Sequence, residues 1–127
     1  MTKLISFIGL FIFILSLTTT TYAQSIIDLQ EKCVKEGNEL IDRTGNPFSY
    51  EIHYSKKLKG CFARSAFYEK LDDGKVKGTT YLYNVSDGKI IGLLIYTSSQ
   101  SSECRVEQSK CKSVDEFDDL IAPYLEL

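Results

Sequence analysis

The stretch Phe48 to Phe67, FSYEIHYSKKLKGCFARSAF, decides how this chain folds. Phe48, Tyr50, Ile52 and Tyr54 alternate with Ser49, Glu51, His53 and Ser55. A period of two sorts side chains onto the two faces of a pleated strand, so residues 48–55 are predicted to be a half-buried β-strand. Lys56, Lys57, Lys59 and Gly60 then make a basic turn, and the chain returns through Cys61, Phe62, Ala63 and Phe67. The expected product is a β-hairpin, the first of an antiparallel sheet. The same stretch holds the only histidine and the densest group of lysines, which makes it the first place to look for a site.

Downstream of the hairpin the strand pattern continues. Residues 61–71 read as its second strand, and Asp72-Asp73-Gly74 is a turn signal. Residues 78–86 alternate Thr79, Tyr81, Tyr83 and Val85 against Thr80, Leu82, Asn84 and Ser86, and Asp87-Gly88 marks another tight turn. The fourth strand, residues 89–96 (KIIGLLIY), is apolar on both faces, which points to a central strand covered twice or to a partner surface. Burial is the commoner explanation. Residues 97–102 are polar and read as a loop, and Cys104 to Cys111 as a stapled ribbon or loop.

A helix is expected at each end. Ser25 can cap a helix in which Ile26, Leu29, Cys33, Leu40 and Ile41 recur at helical spacing, with Gly45 and Pro47 ending it near Arg43. Gly37 inside this run weakens it by up to about 1 kcal/mol. Ser113-Val114-Asp115-Glu116 is a capping box before a helix lined by Phe117, Leu120, Ile121, Tyr124 and Leu125. Pro123 falls late in it and is expected to kink or shorten its last turn. The predicted fold is therefore α+β: a four-stranded antiparallel meander with one N-terminal and one C-terminal helix, packed in two layers, the alternative being a small curled barrel with the helices closing its mouths.

The first 23 residues look like a signal peptide rather than part of this domain. Lys3 supplies a positive charge, Leu4 to Leu17 is uncharged and apolar, and Thr21-Tyr22-Ala23 suits a signal peptidase. The apolar run is 14 residues, against roughly 20 needed to span a bilayer. Cleavage would leave residues 24–127 as a single α+β domain, secreted or periplasmic, with no stable membrane anchor. In that setting Cys33, Cys61, Cys104 and Cys111 read as two disulfides. Three pairings exist. The order of strands and helices favours Cys104 with Cys111 and Cys33 with Cys61, although loop entropy alone does not select it. Loop-closure arithmetic assigns those bridges roughly 2.5 and about 3.6 kcal/mol respectively.

Charge narrows the partners. Fifteen Lys and Arg meet 17 Asp and Glu, a net charge of −2, and −3 without Lys3. A weakly acidic domain lacks the basic face that nucleic acid requires. One histidine and oxidised cysteines leave no metal-ligand set, and no phosphate-binding glycine pattern or nucleophile elbow is present in the sequence, so no metal or cofactor is expected. The candidate binding residues are His53, Tyr54, Lys56 and Lys57. Glu51 shares a strand face with His53, which allows the alternative of a small hydrolase built on that pair. The ordinary alternatives are an exposed strand histidine and a hairpin tip kept charged against edge pairing.

The run His53-Tyr54-Ser55-Lys56-Lys57-Leu58-Lys59-Gly60-Cys61 resembles the His-Tyr-x-x-Lys-Leu-x-x-Cys segment of a group of small exported bacterial proteins with no known activity. Those proteins end in a Cys-Lys-Ser segment leading into an acidic Glu-Phe-Asp helix, similar to Cys111-Lys112-Ser113 and Glu116-Phe117-Asp118. The resemblance implies a bacterial source and carries no functional residue across, though it favours an interaction role for His53, Tyr54 and Lys57. Taken together, the sequence points to a secreted or periplasmic protein that binds another protein, enzyme inhibition being one form of this. A structural component of the cell envelope is a further alternative.

Overall fold

The computed structural model describes residues 24–98 and 100–126. The signal-peptide reading lies outside the described residues. Residues 24–44 form helix α1. Six strands follow: β1 (Ser49–Ser55), β2 (Gly60–Lys70), β3 (Val76–Asn84), β4 (Ile90–Thr97), β5 (Gln100–Val106) and β6 (Ser109–Lys110). Helix α2 (Val114–Leu125) closes the chain. The strands lie in one antiparallel sheet in sequence order, β1-β2-β3-β4-β5-β6.

The fold is α+β with a helix at each end, as the sequence predicts, but the sheet has six strands rather than four. The two additional strands come from the segment expected to be a polar loop and a stapled ribbon. Residues 100–106, QSSECRV, carry apolar side chains only at Cys104 and Val106, too few to show alternation. Those two are buried all the same, paired in register with Leu94 and Gly92 of β4. Strand β6 is two residues long and folds back on Arg105 and Val106. The Cys104–Cys111 disulfide fastens β5 to the residue after β6, while Cys111 N–H donates to the Cys104 carbonyl at 3.0 Å.

The two-layer arrangement is also corrected, because the helices lie on opposite faces of the sheet. Cys61 and Ala63 of β2 and Tyr83 of β3 pack with Cys33, Leu40 and Ile41 of α1. Phe62 and Leu82, next to them in sequence and so on the reverse face, pack with Phe117, Ile121 and Leu125 of α2. Each helix has one apolar stripe, and each stripe meets a different parity of the same strands. The three α2 anchors are buried, each contributing about 1.5–3 kcal/mol. The Cys33–Cys61 disulfide, Cα to Cα 5.4 Å, pins α1 to β2.

The doubly apolar strand β4 is covered unequally. Leu94 is buried under α2, whereas Leu93 and Ile95 are half-buried and belong to neither core. Two glycines explain close approaches. A Cβ on Gly37 of α1 would lie 2.5 Å from Cγ2 of Ile52, so the helix backbone rests directly on β1. Gly78 faces Tyr96 across the β3–β4 pair, and the tyrosine ring lies over the space a side chain would fill.

Helix α2 begins as the capping box predicts, with Ser113 Oγ accepting from Glu116 N–H at 3.1 Å. The Glu116 carboxylate reaches one residue further back, to Lys112 N–H at 2.7 Å. Pro123 does not end the helix, which continues to Leu125 and caps on Glu126 in a left-handed conformation, φ 52°.

Candidate functional site

Strand β1 is one edge of the sheet, and the ends of both helices meet around its last residues. His53 lies opposite Phe62 on the α2 face, and Tyr54 lies opposite Cys61 on the α1 face. The chain then turns through Lys56 to Lys59 and re-enters the sheet at Gly60. Ser55, fully buried, holds this turn from inside. Its hydroxyl donates to the Pro123 carbonyl at 3.3 Å and accepts from Leu58 N–H at 3.1 Å.

Glu126 completes the arrangement. One carboxylate oxygen lies 3.1 Å from His53 Nε2. The other accepts from the backbone N–H groups of Lys56 at 2.6 Å and Lys57 at 3.4 Å. A glutamate is out of place here on two counts. It follows the negative end of a helix dipole, with no basic residue in the last turn. It also adopts a left-handed backbone that favours glycine. Its contacts account for both. The hydrogen bond from His53 is the main cause that lowers the Glu126 carboxyl below its ordinary value, and the two lysine amides act the same way against some burial.

On the other side, the first turns of α1 face the strand edge. The Gln30 side-chain carbonyl accepts from Tyr54 N–H at 3.1 Å. Between these groups lies a groove of about 360 Å³, lined by Ile26, Ile27, Gln30, Glu31, His53, Tyr54, Lys56 and Glu126. Its apolar floor comes from α1 and its polar rim from the hairpin and the two glutamates. Such a combination suits an apolar side chain flanked by polar groups.

The fold thus brings together three of the four sequence-predicted binding residues, His53, Tyr54 and Lys56, in one groove, with Lys57 beside it on the exposed turn. It does not join His53 to Glu51. The Glu51 carboxylate turns to Arg64 at 3.2 Å, and Arg64 also approaches Asp118 at 3.9 Å. Ser55 is committed to backbone partners. Among the described residues, no three His, Cys, Asp or Glu side chains gather to hold a metal ion.

Sequence reasoning missed Glu126, Gln30 and Ile27. Ile27 lies outside the helical stripe that forms the core and is 50% exposed, and an apolar residue off that stripe was the available signal. For Glu126 the signal was an acidic residue at the wrong end of a helix. Gln30 gave none.

No protein-family model matches this chain, and no curated protein or solved structure matches it significantly.

Proposed function

We propose that the chain is an exported, disulfide-stapled domain that binds another protein through the groove at the end of β1. The reading rests most on one observation: residues far apart in sequence, from α1, the hairpin and the α2 cap, converge there on an apolar floor with a polar rim. Two disulfides fit an oxidising destination, and among the described residues no helix is long and apolar enough to cross a membrane. A signal peptide over residues 1–23 supplies the route to a secreted or periplasmic location. The weak negative charge favours a protein over nucleic acid.

A photo-crosslinking residue at Lys57, beside the groove, is expected to yield one discrete protein adduct in the exporting cell. The same residue at Asp72, in the turn after β2 at the far end of the hairpin, is expected to yield none. Equal labelling from both positions, or none from Lys57, would refute a partner at the groove.

A further inference from the structure

We propose that the partner is held as an additional strand: an extended peptide pairs with the open edge of β1 and sets an apolar side chain in the groove. This rests on the groove being the binding site and adds how the partner is read.

The two edges of the sheet are finished differently. At the β5 edge, β6 pairs with Arg105 and Val106 and the Cys104–Cys111 disulfide locks that end. Among the described residues no strand pairs with the outer edge of β1, and only Gln30 of α1 meets it, at Tyr54. Tyr54 N–H points away from β2, because it donates to Gln30 instead. Alternation along an antiparallel strand turns the N–H and C=O of Ile52 and Tyr50 the same way. Among the described residues neither amide has an acceptor outside the sheet. The Gln30 amide oxygen takes the Tyr54 N–H as a neighbouring strand's carbonyl would, so the edge already donates to an amide carbonyl. Tyr50 and Ile52 extend the row away from the groove at roughly 6.8 Å per two residues.

Main-chain pairing of this kind gives affinity, and side-chain pockets give selectivity. Here the pocket is the Ile26–Ile27 floor, reached at the Tyr54 end of the row. Beyond it stand Lys56, Lys57 and Lys59, exposed and without an ion-pair partner among the described residues. The peptide that fits is therefore β-prone, with an apolar residue for the groove and a carboxylate towards the lysines. At the other end Phe48 and Tyr50 are 78% and 53% exposed and offer aromatic contact to its remaining side chains.

Proline separates main chain from side chain in the test. Tyr50→Pro removes an outward N–H and leaves the β1–β2 ladder intact, while Tyr50→Ala keeps the N–H. Displayed random peptides selected on the whole protein are expected to converge on sequences with an acidic residue next to an apolar one. Affinity should fall at least about tenfold on Tyr50→Pro and on N-methylation of alternate peptide amides, and little on Tyr50→Ala. Peptides that lose affinity on Lys56→Glu yet bind Tyr50→Pro normally would overturn strand pairing and leave the groove as a site. A selection that yields no peptide above background overturns the proposal. So does a homodimer that Tyr50→Pro dissolves, since the edge would then serve a second copy of the chain.

Discussion

Single residues carry two of the tightest constraints in this molecule. Gly37 lets α1 rest on Ile52, whose branched side chain has little freedom to move aside. Gly37→Ala should therefore destabilise the protein by about 1–2 kcal/mol in urea melts, since overpacking outweighs the helix propensity that alanine adds. In an Ile52→Ala background the same change should be neutral or stabilising, which identifies the contact. In sequence Gly37 reads only as a weak point of the helix, because nothing in it reveals what lies opposite. Glu126 is the second case. Its carboxyl is lowered in the folded state, first by His53 and then by the Lys56 and Lys57 amides. A depressed acid stabilises the fold above its ordinary value of 4.5 and loses that contribution as pH falls through the lowered folded value. Acidification below about pH 4.5 should thus cost the wild type more stability than Glu126→Gln, measured by chemical denaturation across that range. Equal acid sensitivity would mean that the carboxylate does not hold the hairpin.

At the level of elements, the disulfides are placed differently and should behave differently. Cys33–Cys61 closes the larger loop and ties α1 to the sheet, so Cys33→Ser/Cys61→Ser should lose about 3–4 kcal/mol and expose the β1–β2 face. Cys104–Cys111 closes a short loop, so Cys104→Ser/Cys111→Ser should lose about 2–3 kcal/mol, with the effect confined to β5 and β6. Calorimetry of the two variants, with hydrogen exchange to locate the loosened region, checks both. Strands β1, β3 and β4 were legible because their side chains alternate or run apolar, and β2, whose alternation is less clean, from the turns on either side of it. Strand β5 was not, because its place is set by pairing with β4 and by the disulfide rather than by its own serine-rich sequence. Likewise, helix α2 was legible from its cap and stripe, but the effect of Pro123 was not. The helix runs two residues beyond it, and the Pro123 carbonyl receives the Ser55 hydroxyl.

In the whole molecule, two small cores share one sheet. Phe117 is fully buried in the core under α2, and Phe117→Ala should cost about 3–5 kcal/mol, enough to unfold much of a marginally stable domain. The placement of the helices on opposite faces escaped sequence reasoning because each helix shows only that it has an apolar stripe, not which strand parity it covers. The candidate site was partly legible for the same kind of reason. His53, Tyr54 and Lys56 stood out within one hairpin, while the residues that complete the groove arrive from the two ends of the chain. Because α1 and α2 flank β1 from opposite sides, its outward N–H groups at Tyr50 and Ile52 have no acceptor among the described residues, while Gln30 takes that of Tyr54. The most direct measurement is residue-resolved amide hydrogen exchange on the free protein. An open edge predicts fast exchange at Tyr50 and Ile52 alternating with protection at Glu51 and His53; uniform protection from Tyr50 to His53 would contradict it.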